Sequence, residues 1–269
     1  MRHTPLPLLF FGLCCSISAF ADDVDSPRRF INSPQELSDT KVLEFWGYES
    51  NNGSGSFSNT YKLRYYNPLD IGSWQGRLRL DTSVISTNTN NTQANNSGQF
   101  SAGNTMLTVW GQDKDYLPNL NATIGARVVL PFGNNGQWAI GPQVRWLFKP
   151  NEGVQTLISE FSPLLRYMYG FNTKNNSLEV NPNQPVLQRN LQIYPTIGVE
   201  ITPSTYLRFW DENGIIFNSA GGSWFVPIDV MVTHRLSSDF LFAVGASKQL
   251  IDTYSQYNWS VYGKISYSF

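Results

Sequence analysis

The chain has 269 residues, of which 14% are aromatic and 14% charged, and its formal net charge is −1. That balance lacks the basic excess of a nucleic-acid-binding protein, so no nucleic-acid partner is expected. Cys14 and Cys15 are its only cysteines; once the start of the chain is removed, disulfides, thiolate catalysis and cysteine-ligated metals are excluded.

Met1-Arg2-His3 is a short basic start, Leu6 to Leu13 is nearly all apolar, and Ala19-Phe20-Ala21 precedes Asp22. This is the layout of a cleaved secretory signal over 1–21. Its apolar stretch is too short for an ordinary transmembrane helix. Neither cysteine follows the small residue that a lipoprotein signal needs. A periplasmic segment is expected over 22–41, where Ser33-Pro34-Gln35-Glu36 fits a capping box with Pro at the first helical position. It reads either as an ordered tail or as a plug tucked into the mouth of the domain over 42–269.

From residue 42 the pattern changes to a period of two. Leu78, Leu80, Thr82 and Val84 alternate with Arg79, Asp81 and Ser83. Ile140, Pro142, Val144, Trp146 and Phe148 alternate with Gly141, Gln143, Arg145, Leu147 and Lys149. The same holds for Leu191 to Ile201 and for Val226 to Thr233. Each stretch is close to the ~9–11 residues with which a tilted strand crosses hydrocarbon. Twelve strands are predicted, near 42–50, 56–67, 76–86, 99–111, 119–131, 137–149, 155–170, 187–201, 205–217, 224–236, 239–250 and 255–269. The fourth, around Phe100 to Trp110, alternates poorly. Pro150 to Gly153, Thr202 to Ser204 and Ser237-Ser238 make short turns on one side, whereas Thr87 to Gly98 and Asn172 to Pro185 make long polar loops on the other. The expected fold is all-β: a single antiparallel transmembrane β-barrel of about twelve strands over 42–269, with both termini periplasmic.

The last strand carries the most specific signal. Trp259, Val261, Gly263, Ile265, Tyr267 and Phe269 form one mainly apolar face, and Ser260, Tyr262, Lys264, Ser266 and Ser268 the other. A strand ending on carboxy-terminal Phe resembles the signal read by the outer-membrane barrel assembly machinery. That machinery, outer-membrane lipid and lipopolysaccharide are the expected partners.

The strand phases send a charged set inward. Lys62, Arg64, Arg77, Arg79, Arg127 and Arg145 belong to it, with Arg166, Arg208, Arg235 and Lys264. Asp81, Glu160, Glu200, Glu212 and Asp229 stand against them. Such a set either packs as ion pairs that fill the interior or lines a polar passage biased toward anions. Arg77 and Arg79 are two apart on one face, and Asp81 alone cannot neutralise both.

Catalysis has less to build on. Beyond the signal the one histidine is His234, placed by phase on the lipid side, and Leu236 stands where a phospholipase-like His-x-Ser arrangement needs Ser. One histidine cannot build the usual multi-histidine metal site. No catalytic residue, metal or cofactor is expected. A lipid-modifying enzyme and a structural or adhesive barrel stay open as alternatives to a passage for small solutes.

Several segments, in order, resemble a bacterial outer-membrane family labelled as transporters of the meta-pathway of phenol degradation. They are Gly76-Arg77-Leu78-Arg79-Leu80-Asp81-Thr82, Leu130-Pro131-Phe132-Gly133, Trp138-Ala139-Ile140-Gly141-Pro142-Gln143, Tyr206-Leu207-Arg208 and Trp224-Phe225-Val226-Pro227-Ile228, closed by the final aromatic strand. The resemblance implies a barrel with a transport role and supplies no binding or catalytic residues.

Processing at Ala21 predicts a mature protein that begins at Asp22. Intact-mass measurement of the outer-membrane fraction checks this, and retention of Met1 to Ala21 would remove the basis for export.

Overall fold

A computed structural model describes residues 37–53, 55–89, 100–115, 121–132, 137–148, 157–173, 188–253 and 256–269. The signal segment, the capping-box residues and most of the two long polar loops lie outside the described residues.

Fourteen strand segments are described: β1 (Val42–Gly53), β2 (Ser56–Ile71), β3 (Trp74–Thr89), β4 (Phe100–Ala102), β5 (Thr105–Asp113), β6 (Ala122–Leu130), β7 (Gln137–Trp146), β8 (Glu160–Thr173), β9 (Arg189–Thr202), β10 (Thr205–Phe209), β11 (Ile215–Asn218), β12 (Ser223–Arg235), β13 (Phe240–Asp252) and β14 (Trp259–Ser268). Each pairs antiparallel with its neighbours, and β4 with β5, like β10 with β11, are two halves of one stave. The result is a closed barrel of twelve staves. Closure runs through ten aligned pairs of β1 and β14, from Val42 with Ser268 to Asn51 with Trp259. Lys41 and Phe269 extend it, each donating its N–H to the other's carbonyl at 3.2 and 3.0 Å.

Alternation decides what faces where. On β14, Ser260, Tyr262, Lys264 and Ser266 are buried, whereas Val261, Ile265 and Tyr267 are exposed. On β12, Phe225, Pro227, Asp229, Met231 and Thr233 are buried, and Ile228, Val232 and His234 are exposed. An apolar exterior around a polar interior is the inverse of a water-soluble protein and suits a wall set in hydrocarbon. The apolar clusters inside are small, such as Trp46 with Met231, Ala243 and Tyr262.

The poor alternation of the fourth stave has a local cause. Between β4 and β5, the Gly103 N–H donates to the Ser83 carbonyl at 2.8 Å, and a Cβ there would collide with the Ser83 hydroxyl. The stave gives up its regular pairing at that point and resumes at Thr105. Elsewhere the expected bounds move most at the start of β8. β7 ends at Trp146 and β8 begins only at Glu160. Phe148, past the end of β7, bridges to Phe161, and the 150–153 turn lies outside the described residues.

The Phe269 ring is exposed on the outer face and stacks on Tyr267 at 5.6 Å between centroids. Deleting Phe269 removes that aromatic and one rung of the closing seam without touching a lumen side chain. Less protein should therefore reach the folded state in the membrane, read as a loss of heat-modifiable gel migration; unchanged yield would show that the terminal aromatic is dispensable.

Candidate functional site

The strands gather their charge in the interior, which divides into two unlike halves. On the β14–β1–β2–β3 side, carboxylates and cations interlock. Glu44 is fully buried and accepts from Lys264 Nζ at 2.7 Å, Ser266 Oγ at 3.0 Å and Trp46 Nε1 at 2.9 Å. Arg64 reaches three carboxylates, with Asp81 at 2.6 Å, Glu212 at 3.2 Å and Glu44 at 3.5 Å, and its guanidinium stacks 4.7 Å from the Trp46 ring centre. Asp81 also takes Arg79 Nε at 2.7 Å. Removing one partner from such a set would leave a charge buried and uncompensated, which costs far more than the pair contributes.

Glu212 reaches this network through a break in the opposite wall. Between β10 and β11, residues 210–214 leave the sheet and turn inward, so that Glu212 lies 3.1 Å from Lys62 and accepts from Tyr48 Oη at 2.6 Å. Neighbouring strands are adapted to the break. Ile197 pairs with Phe209 and Ile193 with Ile215, so Pro195, which has no N–H to donate, stands where β9 has lost its partner. Pro227 of β12 stands at the same gap, between the pairings of Phe225 and Val230. Trp210 takes a φ of 50°, uncommon for a bulky residue. It is held there by Nε1 donating to the Pro227 carbonyl at 2.8 Å and by its own carbonyl accepting from Thr196 Oγ1 at 3.0 Å.

Asp229 secures the inward turn. Its carboxylate is fully buried and accepts from Asn213 Nδ2 at 2.8 Å, Tyr262 Oη at 2.8 Å and the backbone N–H groups of Asn213 and Glu212 at 3.3 and 3.4 Å. Beside it Arg208 bridges Glu160 at 2.9 Å and Asp211 at 3.3 Å.

The other half, on β6, β7 and β8, is different. Arg127 Nε donates to Thr108 Oγ1 at 3.0 Å. Arg166 donates through Nε and Nη2 to Gln143 Oε1 at 2.9 and 2.8 Å, and through Nη1 to Gln192 Oε1 at 2.9 Å. Arg145 donates to Ser162 Oγ at 2.9 Å. Among the described residues neither Arg127 nor Arg166 pairs with a carboxylate. A cavity of about 220 Å³ lies between the halves, with Lys62, Arg64, Arg79, Arg127 and Arg166 on its walls and, among the described residues, Asp211 and Glu212 as its carboxylates.

Most of the residues singled out from the sequence are thus brought together inside, with three departures. Arg77 is buried, but its Nη2 donates to the Thr40 carbonyl at 2.9 Å and its guanidinium lies 5.1 Å from the Tyr66 ring centre. It anchors the segment before β1, whose Leu37 packs on Val42, Tyr66 and Trp110. Glu200 is exposed at the barrel rim, and Arg235 is half-buried near the Ser204 turn. Sequence reasoning missed Glu44 and Asp211. Glu44 had a usable signal, as a carboxylate alternating with Leu43 and Phe45, but both faces of β1 are rich in large apolar side chains and hid its phase. Pro195 and Pro227 were likewise a readable sign of a broken neighbour.

His234 sits exposed on the outer face with its Nδ1 2.9 Å from Thr205 Oγ1. No carboxylate orients its ring among the described residues, so the pair lacks the third member that activates a hydroxyl.

No family model and no curated protein matches this chain. Among solved structures, an outer-membrane channel from Pseudomonas putida F1 overlays with a TM-score of 0.60 at 12% identity, over 92% of this chain and 100% of that one. The NanC porin gives 0.49 at 10% identity over 84% of this chain and 98% of its own. The KdgM porin gives 0.47 at 11% over 85% and 99%. Those two overlays are too low to carry an argument; the first shows the shared outer-membrane barrel fold.

Asp229→Ala strips four donors of their acceptor and should lower the free energy of unfolding in urea by about 2–3 kcal/mol. Asp229→Asn keeps one carbonyl oxygen and should lose less. A change within about 0.5 kcal/mol for both would mean that the inward turn does not depend on this carboxylate.

Proposed function

We propose that the protein is a bacterial outer-membrane channel for passive passage of small solutes, with a preference for anions, and that both termini face the periplasm. The observation that carries this reading is the unbalanced wall of Arg127 and Arg166, set by neutral acceptors and facing a 220 Å³ cavity. Buried guanidinium groups without carboxylate partners are costly unless water or a passing anion solvates them. A polar interior that keeps such groups is suited to conducting anions rather than to packing shut. The overlay on an outer-membrane channel fits, as does the resemblance of short motifs to the meta-pathway transporter family. Lipid and lipopolysaccharide would surround the exposed apolar face, and the assembly machinery would read the final strand.

The site residues fall into distinct roles on this reading. Glu44, Asp81 and Glu212 hold Lys62, Arg64, Arg79 and Lys264 as a rigid constriction. The path runs past Arg127, Arg145 and Arg166. Arg77 and Arg79 are engaged by Thr40 and Asp81, so selectivity should depend on them less than their sequence position suggests.

The test is the reversal potential across a KCl gradient in a planar bilayer. Wild type should prefer chloride, and the preference should weaken at high salt as the Debye length falls from ~10 Å at 0.1 M. Arg127→Gln with Arg166→Gln should move the channel toward non-selectivity, whereas Arg77→Gln should change it little. Cation preference in wild type, or no current at all, would overturn the proposal.

A further inference from the structure

Resting on that reading, we infer that the cavity beside Arg127 and Arg166 is a binding site for a small organic carboxylate with an apolar body. The two guanidinium groups come from β6 and β8, and the strand between them is kept low. Arg127 stands opposite Gly141 of β7, where a Cβ would collide with Met168 Sδ and lie 3.3 Å from Arg166 Cγ. With no side chain in the way, the Arg166 stem passes over the Gly141 backbone.

Each guanidinium is oriented without being neutralised. Thr108 takes only the Arg127 Nε hydrogen, which leaves both Nη groups of Arg127 without a hydrogen-bond partner among the described residues. Gln143 and Gln192 fix the plane of Arg166 by accepting from all three of its nitrogens. A planar fork held in place with donors to spare matches a carboxylate, which accepts two parallel N–H bonds. The same cavity already holds two carboxylates, that of Glu212, gripped by Arg64 and Lys62 on the opposite side, and that of Asp211, held by Arg208. Neither pairs with Arg127 or Arg166 among the described residues, and those two guanidinium groups are left for a carboxylate from outside.

Beside the polar Thr196, Asp211 and Asn213, the apolar part of the remaining wall specifies what the carboxylate is attached to. Met106, Leu164 and Tyr194 line the cavity along with the cations. Leu164 is buried, and Arg166 lies 5.9 Å from the Tyr194 ring centre. Inorganic phosphate would use the arginines but gain nothing from these side chains. A carboxylate with a short hydrocarbon tail uses both, by the same division of labour seen in most small-molecule sites.

Butyrate is the probe, with inorganic phosphate and uncharged butyramide as controls. Two measurements are made on the full-length processed protein: block of chloride current in a planar bilayer, and calorimetric titration in detergent, which needs no conduction. Butyrate should block saturably and bind calorimetrically, and butyramide should do neither. Arg127→Gln should raise the half-blocking and dissociation constants at least tenfold. Leu164→Asn should raise them severalfold for butyrate while leaving those for phosphate unchanged. Heat-modifiable migration establishes that each variant is folded, and Arg127→Lys, which keeps the charge but not the fork, should fall between wild type and Arg127→Gln. Chloride current without butyrate binding overturns the site and leaves the channel standing. Butyrate binding that Arg127→Gln abolishes, in a protein that passes no current, keeps the site and overturns the channel. Phosphate binding as tight as butyrate, or constants unchanged in Arg127→Gln, overturns the assignment.

Discussion

In hydrocarbon there is no water to take a backbone N–H or C=O, so each one that faces lipid must be paired within the sheet, and a sheet with a free edge fails. The β1–β14 ladder meets that constraint, and everything inside depends on it. Ten aligned pairs and the reciprocal Lys41–Phe269 bonds turn an open meander into a ring. Only a ring has an inside, and only an inside allows Glu44 on the first stave to meet Lys264 on the last.

Closure also makes the interior a place where charge must be resolved locally. One side resolves it by pairing: Arg64 alone engages Glu44, Asp81 and Glu212. The other side holds Arg127 and Arg166 with neutral oxygens from Thr108, Gln143 and Gln192, which orient their guanidinium groups and leave their charge in place. The first arrangement neutralises its charge, and the second keeps it. Their juxtaposition across one cavity gives the barrel a chemical direction that its nearly neutral composition conceals.

The interruption between β10 and β11 connects the two. Regular pairing would keep residues 210–214 in the wall. Instead Trp210 reverses its backbone, Asp229 gathers the freed N–H groups, and Glu212 crosses to Lys62 and Arg64. A wall residue thereby joins the ion-pair network of the interior. The prolines on both flanking strands lessen the cost of the interruption, because neither offers an N–H that the missing rungs would have satisfied.

Strand number and the outward apolar face were legible from the sequence because each follows from a local period of two. The final strand, Trp259 to Phe269, is the clearest case, since its two faces differ in nearly every residue. Pairing of charges was not legible, because it depends on which residues share a level across a tilted, closed ring. Arg77 and Arg79 sit two apart on one strand face, yet one is held by the Thr40 carbonyl and the other by Asp81. Glu212, far from Lys62 in the chain, reaches it only because a stave breaks. Local alternation determined which side of the wall each residue occupies; closure and the break at 210–214 decided which of them meet, since distances across a lumen are set by the ring and not by the strand.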